Sequence, residues 1–244
     1  LYTDMNAIRR NEDLDNLHSI YVDQWDWEKI ITEENRNTEY LKLIVRAIVN
    51  ASCNTNDRLH VRFPQLRTEL CREVSFVTTQ ELEDMYPDMT ASEKETAFVK
   101  EHKTAFIMQI GGVLRSGSIH DGRAPDYDDY STMAADSTYP GLNGDLLVWY
   151  PILARSIELS SMGIRVDAAA LEHQLKLSGK TVRKELYFHR RLLSGTLPQS
   201  IGGSIGQSRL CMLMMGCAHI GEVQSSMWDS ETVRICEENG IPLL

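Results

Sequence analysis

Ile201-Gly202-Gly203-Ser204-Ile205-Gly206-Gln207-Ser208-Arg209 runs directly into Leu210-Cys211-Met212-Leu213-Met214-Met215. The glycines read as a tight turn with close backbone approach, and the apolar run after them reads as a helix carrying Arg209 in its first turn. Backbone N–H groups at a helix start, joined by a guanidinium, make a place for an anion or a nucleotide. A glycine-rich turn before a helix is often only a turn, so the weight falls on what accompanies it.

Working outward, residues 167–177 and 180–193 read as helices. Before them, residues 145–153 and 157–166 read as a pair of strands. A stretch rich in glycine, serine and aspartate, 111–144, has the composition of a long functional loop. Earlier still, Thr78-x-x-Glu81 and Thr90-x-x-Glu93 are capping-box helix starts, with strands expected at 75–79 and 104–110. Residues 33–52 form a helix whose buried stripe is Tyr40, Leu41, Ile44, Val45 and Ile48. Residues 1–7 and 18–24 read as strands around the polar connection Arg9-Arg10-Asn11-Glu12-Asp13. Strands and helices do not strictly alternate, which points to an α+β fold: an antiparallel β-sheet flanked by helices, in a single domain over 1–244.

A chain of 244 residues with 42% hydrophobic and 25% charged residues is an ordinary globular sequence. Its net charge of −10 argues against a nucleic-acid binder with a broad basic face. No apolar run approaches the roughly 18 residues of a membrane span, so neither nucleic acid nor membrane is expected as a partner. The five cysteines include no C-x-x-C pair and read as reduced structural thiols. The seven histidines lack zinc-ligand spacing, and His120 and His189 read as solvated or core-bonded groups.

The charged groups on or beside the strands are the chemical candidates. Gln24-Trp25-Asp26-Trp27-Glu28 puts Asp26 between two tryptophans, and Arg123-Ala124-Pro125-Asp126-Tyr127-Asp128-Asp129 follows a cation with three acids. Asp145 follows Gly141-Leu142-Asn143-Gly144, while Glu158, Ser161 and Arg165 share one strand. Each alone has a plain reading as a solvated strand or loop position. As a set they have a logic. Arg9 and Arg209 suit a polyphosphate, and Asp145 and Glu158 suit Mg²⁺, which takes one or two carboxylates together with substrate phosphates. The remaining acids and arginines suit a small zwitterion. ATP plus an amino acid fits this inventory.

At these residues the chain resembles ammonia-dependent asparagine synthetase (aspartate–ammonia ligase), whose catalytic core is similar to that of class II aminoacyl-tRNA synthetases, the aspartyl enzyme above all. The resemblance is carried in order by residues 18–28, 123–129, 141–145, 158–165 and 201–210. It implies an ATP-dependent ligase that joins aspartate and ammonia through β-aspartyl-AMP, with ATP and Mg²⁺ bound, in a cytoplasmic homodimer. It implies that Arg9 binds the α-phosphate and that Arg209 packs on adenine and reaches the phosphates, both as catalytic residues. Asp145 and Glu158 correspond to the acids carrying metal and nucleotide, with Ser161 and Gln207 also on the ATP side. Gln24, Asp26, Arg123, Asp128 and Arg165 line the implied aspartate pocket.

Two departures from the family pattern stand out. The N-terminal segment that supplies the first motif, much of the dimer interface and an acid near the amino acid is expected to be missing. Arg10 also stands where relatives carry proline, in a connection one residue shorter. Two rivals remain open at this point: a catalytic fragment of an aspartyl- or asparaginyl-tRNA synthetase, and a non-catalytic truncated relative.

Overall fold

A computed structural model describes residues 1–134 and 137–244; residues 135 and 136, inside the expected loop 111–144, lie outside the described residues. Strands β1 (Tyr2–Ile8), β2 (Tyr21–Ile30), β3 (Ser75–Thr78), β4 (Thr104–Met108), β5 (Asn143–Tyr150), β6 (Arg155–Ile164) and β7 (Ser200–Gly206) form one sheet in the order β1-β2-β7-β6-β5-β4-β3. Every neighbouring pair is antiparallel except β3–β4, which is parallel. The expected α+β class therefore holds, on a mostly antiparallel sheet.

Helix α1 (Thr38–Arg62) starts at Asn37, whose side chain accepts from the Tyr40 N–H at 2.8 Å, and it runs ten residues past the expected end. Its buried stripe is Leu41, Val45, Val49, Cys53 and Asn56, so the helical period continues through residue types that do not announce a core. This stripe packs on Phe106, Leu146, Met162, Ile164 and Ile201 from the sheet. On the same side, α6 (Gln207–Met215) buries Leu210, Met212, Leu213 and Met214 against Val148, Tyr150, Ile157 and Leu159. The opposite face packs Ala105, Ile107 and Leu147 against Val77, α2 (Thr79–Met85) and α3 (Ala91–His102). Both capping boxes are formed.

Helices α4 (Ala168–Leu177), α5 (Tyr187–Leu193) and α7 (Ser230–Glu238) complete the layers. The helix expected at 180–193 is interrupted: Thr181–Glu185 is a 3₁₀ turn, and Leu186 is extended before α5. The larger correction concerns residues 201–206. They are not a turn but β7, hydrogen-bonded on both sides between β2 and β6. Sequence reasoning took glycine as punctuation, whereas a central strand tolerates glycines where a close neighbour needs the Cβ space. All five cysteines are free. No helix among the described residues is long and apolar enough to cross a membrane.

Candidate active site

Sheet register collects the polar residues. Antiparallel partners share a face, and one row crosses four strands: Asp26 pairs with Ser204, Ser204 with Ser161, and Ser161 with Asp145. The next row is Glu28, Gly202, Gly163 and Asn143. Glu158 stands three residues from Ser161, which strict alternation would send to the other face. A register shift intervenes: Leu146 pairs with Ser160 but Leu147 pairs with Glu158, leaving Leu159 as the extra residue of a bulge. The bulge returns Glu158 to the face of Asp145 and Ser161.

Arg9, at the end of β1, and Arg209, in the first turn of α6, line one cleft together with Gln24 and Glu158. Arg209 Nη1 donates to the Glu158 carbonyl at 3.2 Å and lies 3.7 Å from its Oε2. Arg9 Nη1 reaches Glu12 Oε2 at 2.9 Å while half its side chain stays exposed. Burial, then the Asp145 carboxylate, push the Glu158 carboxyl up to about 7, against the pull of Arg209 and Arg123. Its side chain keeps 43% of its surface open, which leaves a ligand a route to it.

Beside this cleft lies a second set. Arg165 Nε donates to Glu28 Oε1 at 2.6 Å, Nη1 to Asp128, and Nη2 to the Tyr127 hydroxyl at 2.9 Å. Its guanidinium also sits 3.7 Å from the centre of the Tyr127 ring. Burial raises the pKa of Asp128, with Arg165 and Arg123 opposing the shift. Burial also raises that of Asp26, opposed by Arg165 and assisted by Glu28. Arg123 pairs with Asp145, and its Nη2 lies 3.5 Å from Ser161 Oγ, so it stands between the two sets. From beneath, Arg36 holds the loop: it pairs with Asp129, contacts Asp167 at 3.2 Å and donates to the Arg165 carbonyl at 2.7 Å.

One cleft thus holds two arginines, and a clamped guanidinium stands among carboxylates alongside it. A scan against family models matches the aspartate–ammonia ligase family over residues 1–240. The chain belongs to that family. It is 58% identical to an aspartate–ammonia ligase of Clostridium tetani, over the whole of this chain and 69% of that protein. It is 52% identical to one of Parabacteroides distasonis, over the whole of this chain and 70% of that protein. Among solved structures, asparaginyl-tRNA synthetase of Entamoeba histolytica in complex with asparaginyl-adenylate superposes with a TM-score of 0.65 at 14% identity, covering 91% of this chain and 51% of that one. The Pyrococcus horikoshii asparaginyl-tRNA synthetase complexed with asparaginyl-adenylate gives 0.65 at 13%, covering 90% and 50%. These likenesses speak for the fold, and the ligase family accounts for the sequence.

In this aspartate–ammonia ligase family member, the geometry departs from sequence reasoning at three points. At the start of α6 the Ser208 N–H is already taken, since Asp23 of β2 accepts it at 3.2 Å. Gln207 turns to Asp4 on β1 rather than into the cleft. Glu28 joins the site although only its neighbours were singled out; its signal was the period of two it shares with Gln24 and Asp26. His120 and His189 are the bonded groups expected, 2.8 Å from Glu95 and 2.9 Å from Asp126.

Proposed function

We propose that this protein makes asparagine from aspartate, ammonia and ATP, with residues 1–244 acting as one catalytic domain. The β-carboxylate of aspartate attacks the α-phosphorus of ATP. The bond from that phosphorus to the bridging oxygen breaks, and pyrophosphate leaves. Ammonia then adds to the carbonyl of β-aspartyl-AMP, the nitrogen gives up a proton, and AMP departs with its oxygen.

The obstacle is the meeting of two anions. Arg9 and Arg209, which line one cleft, neutralise phosphate oxygens and favour the charge that develops in the transition state. Holding the carboxylate in line with the phosphorus supplies much of the remainder. Arg165, fixed by Glu28, Asp128 and Tyr127, keeps N–H groups for a substrate carboxylate, while Asp26, Asp128 and Gln24 suit its ammonium and amide-sized groups. Arg123 and Ser161 close the side next to the phosphates.

Asp145 and Glu158 fit a magnesium ion: two carboxylates close enough that one raises the other's pKa are relieved by a divalent cation, which prefers such oxygens. When bound there with ATP, magnesium supplies positive charge against the phosphate oxygens. Cytoplasmic location and a homodimer belong to the same proposal.

The observation that carries this reading is the shared cleft of Arg9, Arg209 and Glu158. The test is asparagine formation from aspartate, ATP–Mg²⁺ and ammonium with no RNA present. Product formation supports the ligase; acylation of added tRNA in its place would favour the synthetase reading, and neither activity would favour an inert relative.

A further inference from the structure

Helix α6 begins at Gly206, which has no side chain to cap it. Asp23 of β2 does this from outside the helix: Oδ1 accepts the Ser208 N–H at 3.2 Å and Oδ2 accepts the Ser208 hydroxyl at 2.7 Å. Gln224 closes the set from the loop that follows the 3₁₀ turn Ile220–Glu222. Its Nε2 donates to Asp23 Oδ1 at 3.1 Å and to Ser208 Oγ at 2.9 Å, and its Oε1 accepts from Ser19 Oγ at 2.5 Å. Ser19, Ser208 and Gln224 are each at most 5% exposed.

This network has one orientation. Reversing the Gln224 amide would set its oxygen against the Asp23 carboxylate, two acceptors facing with no proton between them. The loop carrying Gln224 is itself tied to the cleft wall, since Asn16 Nδ2 donates to the Ala218 carbonyl and Ile220 N–H to the Asn16 carbonyl, both at 2.8 Å.

Two consequences follow for Arg209, the residue after Ser208. A carboxylate occupies the positive end of α6 and takes the Ser208 N–H, favourably for the helix, so the hold on a polyphosphate in this cleft falls chiefly on arginine side chains. Successive helical residues step around the axis by a fixed angle, so pinning Ser208 sets the direction in which Arg209 leaves the helix. That direction brings its Nη1 within 3.2 Å of the Glu158 carbonyl and its Nε within 3.5 Å of the Leu17 carbonyl.

We infer that Asp23 and Gln224 are positioning residues for the nucleotide, acting through the first turn of α6 on Arg209. The inference rests on reading this cleft as the ATP site. The test uses the full chain, with KM for ATP and KM for aspartate read separately. Gln224→Ala is expected to raise KM for ATP about tenfold and to leave KM for aspartate within about twofold. Combined with Arg209→Ala, it is expected to add almost nothing, because both act through one side chain.

Equal rises in the two KM values, or an additive effect in the double variant, would overturn the inference. Should Gln224→Ala fail to fold, Gln224→Met carries the same test, because it keeps much of the side-chain volume and removes only the amide that bonds Asp23, Ser208 and Ser19. Turnover by the unsubstituted chain judges the site reading separately. A chain that makes no asparagine sinks that reading, whereas an active chain whose ATP KM ignores the Gln224 network sinks only the positioning role.

Discussion

Gly202 and Glu28 are direct partners across the β2–β7 ladder, and the missing side chain of the first makes room for the ion pair of the second. A Cβ on Gly202 would press into the Glu28 carboxyl and lie 2.5 Å from Arg165 Nη2. Gly163, in the same row, leaves equivalent space for Asp128: a Cβ there would lie 2.9 Å from its carboxyl carbon. The strand glycines thus admit the Arg165 clamp into the sheet face.

Gly202→Ala is therefore expected to displace Glu28 from Arg165. Overpacking of this kind costs about 1–3 kcal/mol of stability. KM for aspartate should rise about tenfold with KM for ATP little changed, since the loss falls on one substrate's binding. Steady-state kinetics and urea unfolding check both halves; an unchanged KM for aspartate would remove Arg165 from the amino-acid pocket.

Glu158 sets a pH dependence. Its carboxyl titrates at about 7 in the free protein, so a proton must leave before it can serve a metal–nucleotide complex. Affinity for ATP–Mg²⁺ is expected to fall about tenfold per pH unit below that value and to level off above it. Calorimetry across pH 5.5 to 8.5 would show this, and Glu158→Gln should bind more weakly with a flatter profile. The sign for folding is opposite. From the ordinary carboxylate range up to about 7 the unliganded native state holds a proton that the unfolded chain has released, so this group lowers stability as pH rises through that window.

Arg36→Met tests the support beneath the site. Asp129 is fully buried and paired with Arg36, and its Oδ1 also accepts the N–H groups of Ser131 and Thr132, both at 2.9 Å. Removing one partner of a buried pair costs about 3–5 kcal/mol, because the remaining charge is left uncompensated. Denaturant unfolding should show that loss, with partial recovery when Asp129→Asn is added.

Much of this was legible in the sequence. Capping boxes placed α2 and α3, and the period of α1 was visible at Leu41 and Val45. The functional set could be assembled only from its charges taken together and from the family resemblance, because each residue alone reads as a solvated strand or loop position. Three features were not legible, each for a physical reason. β7 was hidden because its glycines serve neighbouring side chains, and those neighbours come from distant segments. Glu158 and Ser161 share a face only through a bulge, which local sequence does not mark. Asp23 caps a helix that starts far along the chain, and Gln224 has no local signal of any kind; both depend on tertiary register.

Arg9 and Arg209 are partly exposed, so replacing either with alanine should leave the fold intact. By analogy with loss of one transition-state donor, turnover is expected to drop about 10²- to 10³-fold. Circular dichroism and thermal melts establish the fold, and initial rates the loss. Near-normal turnover of Arg9→Ala would place the phosphates elsewhere.

The most direct measurement follows an oxygen atom. Aspartate labelled with ¹⁸O in its β-carboxylate is turned over with ATP–Mg²⁺ and ammonium, and the released AMP is weighed by mass spectrometry. Attack of that carboxylate on the α-phosphorus predicts one labelled oxygen in each AMP, with pyrophosphate unlabelled. Label appearing in inorganic phosphate alongside ADP, or AMP carrying none, would contradict the account.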